Sequence, residues 1–188
     1  MNIGLWIAIG IVVLLIIILI ALYNGLVGAR NQVKNSWAQI DVQLKRRYDL
    51  VPNLVETVKG YAKHESSVFE NVTKARNLAQ AGASSDAASR ANLEGNLGSA
   101  LSRLLVVAEA YPDLKANKNF QALQEELTST ENKISFSRQY YNDSVLRYNN
   151  KTQMFPSVLI AGIAGFKAET FFEITAAEEK SAPKVSFN

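Results

Sequence analysis

The sequence predicts an all-α protein: an N-terminal transmembrane helix followed by an elongated antiparallel helical bundle of about four long helices. Three observations predict it. The first 29 residues carry no Asp, Glu, Lys, Arg or His. Beyond them, apolar residues recur at 3,4 spacing, which keeps one seam of a helix facing a partner, as in a coiled coil. Strict alternation, the mark of a half-buried strand, appears nowhere convincingly, and only the tail, Phe171 to Phe187, reads as extended. The domains that follow are an anchor at 1–25, a helical bundle at 26–155, and an apolar strap with a C-terminal tail at 156–188.

From Ile3 to Leu22 the chain reads IGLWIAIGIVVLLIIILIAL, close to the ~20 apolar residues that cross a bilayer core. Trp6 and Tyr23 bracket this run. They stand about 26 Å apart at a helical rise of 1.5 Å per residue, so each is placed as a membrane-interface anchor with its polar tip wet. A cleaved signal peptide is the competing reading. It lacks support because no basic residue opens the run and the apolar stretch exceeds the usual h-region of about 7–15 residues. Arg30 and Lys34 follow the span and no basic residue precedes it, so the positive-inside rule puts the N-terminus outside and the bundle in the cytoplasm.

Four periodic segments follow. The first carries Leu26, Val33, Trp37, Ile40 and Leu44, with Arg30 as the polar member of its seam. Gly25 and Gly28 leave open whether it continues unbroken from the membrane helix. The second carries Leu54, Val58, Tyr61, Glu65, Val68, Val72, Ala75 and Ala79. It stops at Gly82, a residue suited to the left-handed position past a helix end. Small polar residues at AGASSDAAS form a turn. The third segment carries Leu93, Leu97, Leu101, Leu104, Leu105 and Ala108 and ends before Pro112, because proline disfavours helical geometry in the residue preceding it. The fourth begins after Asn117, a fitting N-cap, and carries Phe120, Leu123, Leu127, Thr130, Ile134, Ser137, Tyr141 and Tyr148. After Pro156, SVLIAGIAGF is too short to span a membrane. It fits core or bundle-end packing first, and a membrane-surface or partner contact through Val158, Leu159, Ile160 and Phe166 second.

Chemical motifs are sparse. The single histidine, His64, is followed by Glu65, Ser66, Ser67 and Val68, so the paired imidazoles of an H-E-x-x-H zinc site are absent. The sequence holds neither a G-x-S-x-G elbow nor a phosphate-binding glycine loop. Cysteine is absent, which removes thiolate metal sites and disulfides and leaves the redox compartment open. Glu125, Glu126 and Glu131 read as a solvated helix face. The sequons at Asn71, Asn142 and Asn150 fall within predicted helices. Between Arg30 and Lys63 seven basic residues face three acidic ones, a modest excess that does not make a phosphate-neutralising stripe. No catalytic residue, cofactor, metal, nucleic-acid partner or small-molecule substrate is implied.

The most charged stretch is LKRRYDLVPNLVET, Leu44 to Thr57. Pro52 lacks an N–H and clashes with the preceding turn, so the sequence predicts a joint near Asp49 and Pro52, with Asp49 capping the helix that follows. Lys45, Arg46 and Arg47 are expected to stay wet around that joint, available to anionic headgroups or a partner, with Arg47, Tyr48 and Asn53 also able to hydrogen-bond across helices.

Three long stretches carry a resemblance. They are YNGLVGARNQVKNSWAQIDVQLKRRYDLVPNLVETVKGYAKHE, ALSRLLVVAEAYPDLKANKNFQALQEELTSTENKISFSRQYYNDSV, and YNNKTQMFPSVLIAGIAGF with a terminal APKVSF. On these the chain resembles the LemA family of bacterial membrane proteins over nearly its whole length. The resemblance implies an N-terminal membrane helix and a soluble antiparallel bundle. It brings no established activity, cofactor or catalytic residue. Family members occur beside membrane-quality-control proteases and include a magnetosome protein, which implies envelope scaffolding or stress work. The expected function is therefore a non-enzymatic, self-associating scaffold at the lipid bilayer with an envelope protein as partner. The alternative is an adaptor subunit of a membrane protease or signalling system.

Overall fold

The computed structural model describes residues 3–173, and among them every regular element is a helix. α1 covers Ile3–Lys59, α2 Ser66–Ala81, α3 Ala87–Glu109, α4 Pro112–Lys115, α5 Lys118–Gln153 and α6 Ser157–Ala164. A 3-10 turn at Gly82–Ser84 follows α2. The all-α class stands as predicted. Most of the tail expected to be extended, from residue 174 on, lies outside the described residues.

The chain forms two compact units. The first holds α1 up to Gln39 together with Gln139–Glu169. Every residue of α1 from Ile3 to Ala21 is exposed, and an 18-residue window of this run has a mean hydropathy of 3.4, enough by length and composition to cross a membrane. Further along, Leu26 and Val33 are buried, and α5 runs antiparallel to α1. Trp37 meets Tyr141 with ring centroids 5.1 Å apart, Gln32 donates to the Tyr140 hydroxyl, and Lys151 Nζ reaches the Gly25 carbonyl at 3.3 Å.

The second unit holds Ile40–Arg138 and the described residues from Thr170 on. Its core takes Ile40, Leu44, Val51, Leu54 and Val58 from α1, Phe69 and Val72 from α2, Leu97, Leu101 and Leu104 from α3, and Phe120, Leu127 and Ile134 from α5. α2 packs directly on α3. Asp86 caps α3 by accepting the Ala88 and Ser89 N–H groups at 3.1 and 3.0 Å. Asn117 caps α5 as predicted, accepting from Asn119 and Phe120 at 2.8 and 3.2 Å.

Three expectations are corrected. The joint at Asp49 and Pro52 is not a break, because α1 passes through both and ends at Lys59. Pro52 sits on the exposed face, which leaves the buried seam intact. The carbonyl that its missing N–H orphans, Tyr48 O, accepts instead from Arg76 Nε of α2 at 2.8 Å. The turn comes at Gly60, so the second periodic segment is divided between the end of α1 and α2. Gly82 is not left-handed: its φ is −78°. Glycine fits there because a Cβ would collide with Leu93 Cδ1 of α3. The apolar strap is not core, since in α6 only Ala161 is buried.

Arg76→Ala strands the Tyr48 carbonyl and should cost about 1.5–3 kcal/mol, the range for a hydrogen bond to a charged group. In a Pro52→Ala background, where residue 52 regains an N–H for Tyr48 O, the same change should cost clearly less. A urea double-mutant cycle on the detergent-solubilised chain measures the difference.

Candidate functional site

Sequence spacing brings a set of charged side chains into the core of the second unit. Arg47 occupies the α1 seam between Leu44 and Val51, and Arg90 and Glu94 prolong the α3 seam of Leu97, Leu101 and Leu104 by steps of three and four. Burying a guanidinium among apolar neighbours requires paired acceptors. Arg47, 3% exposed, has them: Nη1 donates to both Glu131 oxygens at 2.8 and 3.0 Å, and Nη2 donates to Glu94 Oε2. Tyr48 donates its hydroxyl to the other Glu94 oxygen, Oε1. Arg90 pairs with Asp41 at 2.5 Å and donates to the Ala83 carbonyl at 3.2 Å, tying the 3-10 turn to α3. α1, α3 and α5 thus meet at one network.

Burial disfavours the charge on Arg47, yet the carboxylates of Glu131 and Glu94 outweigh it and hold its pKa above the ordinary value. Tyr48 is pushed up by burial and by the Glu94 carboxylate that accepts its hydrogen bond. In the first unit Tyr141 is raised to about 12, first by burial and then by Glu169. Each Glu94 oxygen already holds a donor, so this cluster is built as a lock between helices. A groove lined by Gly98, Ser102, Thr128, Asn132 and the Arg47–Glu131 pair runs alongside it.

A second region lies in the first unit. Phe166 sets its ring edge-on to Tyr23, centroids 5.8 Å apart, and Arg30 places its guanidinium 4.9 Å over the same ring. The predicted contacts Val158 and Leu159 are exposed on α6, while Ile160 and Phe166 are half-buried.

The LemA family profile matches residues 36–187. The chain belongs to the LemA family. Its relatives include the magnetosome protein MamQ 1 of Paramagnetospirillum magneticum, 25% identical over 186 residues, covering 86% of this chain and 68% of the relative. The magnetosome protein MamQ of Magnetospirillum gryphiswaldense is 26% identical over 174 residues, with 80% of this chain and 64% of the relative covered. Protein LemA of Metamycoplasma hominis is 26% identical over 132 residues, covering 70% and 60%. The chain therefore spans about two thirds of the length of these relatives.

Within the region matched to LemA lie the whole charge network and α6; the apolar run of α1 precedes it. Of the basic triplet, Lys45 is exposed, Arg46 donates from Nε to Glu126 at 2.7 Å, and Arg47 is locked in the core. The expectation that all three stay wet is corrected for Arg47, because Glu94 and Glu131 compensate its burial. Glu125 and Glu126 lie on a solvent-facing surface as expected, whereas Glu131, still partly exposed, turns its carboxylate to the buried Arg47. Arg90, Glu94 and Asp41 were not singled out from the sequence; the signal available was the α3 seam, which lands on 94 and 90 when stepped back from Leu97. Trp6 and Tyr23 are both exposed on α1. His64 is exposed in the turn after α1.

Two outcomes are expected of this LemA-family network. Glu94→Ala strips Arg47 and Tyr48 of a partner at once and should cost about 3–5 kcal/mol in denaturant unfolding. Glu126→Ala, which breaks the exposed pair with Arg46, should cost about 1 kcal/mol or less. The raised tyrosines set a pH dependence. Their folded pKa values lie above the unfolded value of about 10, so the stability they contribute is complete below that pH and is lost as pH rises through the folded values. The urea midpoint should be flat across neutral pH in this respect and fall above about pH 10, with tyrosinate absorbance in the folded chain lagging that of the unfolded chain.

Proposed function

We propose that the chain is a single-pass, membrane-anchored scaffold without chemistry of its own, which assembles in several copies at the bacterial envelope. The observation that carries this reading is α1. One uninterrupted helix holds a run exposed and apolar on all sides and then a buried seam of Leu26, Val33, Ile40, Leu44, Val51, Leu54 and Val58. A helix apolar on every face suits lipid, whereas a single apolar stripe suits a bundle. The locked charge network supports a structural use of its polar atoms over a reactive one, since acceptors engaged by a buried arginine serve packing. Membership of the LemA family, with magnetosome proteins among the relatives, supports a place at a membrane. Arg30 and Lys34, following the apolar run, favour a bundle on the cytoplasmic side with the N-terminus outside.

Extraction tests the reading. The full chain should resist high salt and require detergent, and a chain lacking residues 1–29 should not. After mild extraction at native membrane density, crosslinking should trap species of more than one copy. A clean monomer overturns the scaffold, and crosslinks solely to a different membrane protein replace it with an adaptor.

A further inference from the structure

α6 and the turn before it expose an apolar surface that the first unit does not cover. Ile163 is 88% exposed, Phe155 80% and Leu159 59%. Such a cluster on a short helix costs free energy in water and marks a contact. Its position says with what. The antiparallel register in this unit pairs Trp37 with Tyr141 and Gly25 with Lys151, so α5 advances toward the N-terminal run of α1 as its numbers rise. α5 ends at Gln153, two residues past the level of Gly25, and Met154 and Phe155 follow directly in the turn at that end. The chain then returns, and Phe166 seats against Tyr23 and Arg30. Both ends of the segment are therefore held at the level where the apolar run gives way to charge. Lys151 and Lys167 flank it, the arrangement in which long basic side chains reach headgroups while apolar neighbours enter the acyl boundary.

We propose that Met154–Ile163 is a second membrane contact, an apolar wedge lying in the lipid interface beside the span, with Phe155, Leu159 and Ile163 facing the acyl chains. This rests on the membrane-anchored reading. The wedge gives the first unit two points of attachment, so the membrane restrains the tilt and rotation of α1 as well as its depth. Ala161, the buried residue of α6, holds the segment to the unit; the residues on its other face are left to the lipid.

The chain has no cysteine, so single environment-sensitive probes can be placed at will on the full chain in vesicles of mixed zwitterionic and anionic lipid. Ile163→Cys, Leu15→Cys and Val106→Cys report the wedge, the span and an exposed apolar position of the second unit. The expected result is blue-shifted emission at Ile163→Cys with quenching by spin-labelled lipid at a depth of about 5–10 Å into the headgroup and acyl boundary. Leu15→Cys should be quenched most by labels near the bilayer centre, and Val106→Cys should emit as in water without lipid quenching. If the Ile163→Cys probe matches the Val106→Cys probe while Leu15→Cys is quenched, the wedge is overturned and the anchor stands. Blue-shifted emission at Ile163→Cys that lipid labels do not quench overturns the wedge in favour of a protein cover, such as a second copy. Absence of lipid quenching at Leu15→Cys overturns the anchored reading and the wedge with it.

Discussion

The Arg47 guanidinium ties α1 to α3 through Glu94 and to α5 through Glu131, and the arrangement of the second unit depends on that three-way bond. Apolar seams alone hold helices together with little preference for register, because one Leu or Val layer resembles the next. A buried charge behaves differently: a shift of one turn, about 5.4 Å, would leave the guanidinium without its carboxylates, and an unpaired buried ion is costly in a way a shifted leucine is not. Replacing such a cluster with well-packed apolar groups can be neutral or better for stability. The value of the network lies in the alternatives it penalises. Arg90, paired with Asp41 and bound to the Ala83 carbonyl, extends that control to the turn between α2 and α3.

A similar logic explains how α1 keeps its course through a proline. Helix continuity needs the carbonyl four residues before Pro52 to find a donor, and Arg76 supplies one from a neighbouring helix. Pro52 also points to solvent, so its ring displaces no core side chain. The sequence around it alternates buried Tyr48, Val51, Leu54, Val55 and Val58 at helical spacing, and burial of that stripe exceeds the local preference to break. Gly60, by contrast, lies where the seam ends, and the helix yields there. A local signal decides the outcome only where tertiary packing does not oppose it.

The helical class, the apolar run, the cap at Asn117 and the seams of α1, α3 and α5 were legible because each is written in periodicity or in a local side-chain bond. The charged seam residues escaped notice for one cause. Arg47, Arg90 and Glu94 are polar residues at seam positions, and a reading that counts apolar matches treats them as gaps or as surface. The joint expected from the missing N–H of Pro52 does not form because the 3,4 spacing runs from Leu44 through Arg47 and Val51 to Leu54 without a slip. Partners such as Glu131 and Asp41 lie far away in sequence, so their pairing is set by tertiary contact and leaves no local trace. Gly82 was recognised as a stop for the wrong reason: its small size admits Leu93, while its backbone is ordinary.

The exposure pattern of α1 carries the argument from fold to place. Apolar residues scattered singly over a surface are ordinary, but a contiguous sleeve from Ile3 to Ile20 is far beyond the patch a water-soluble chain leaves open. Hydration of that sleeve is unfavourable, so by length and composition the helix suits an apolar medium. Where the sleeve ends, the same helix changes character within about three turns: Leu26 is fully buried, and Arg30 is the first charge, held over the Phe166 ring. A guanidinium resting on an aromatic face keeps its charge stabilised at an apolar boundary, which is the chemistry wanted where hydrocarbon gives way to headgroup. Tyr23, beside the same ring, adds an aromatic with a polar tip at that level. Two aromatics and an arginine thus occur together where the helix changes from apolar on every face to a single buried stripe.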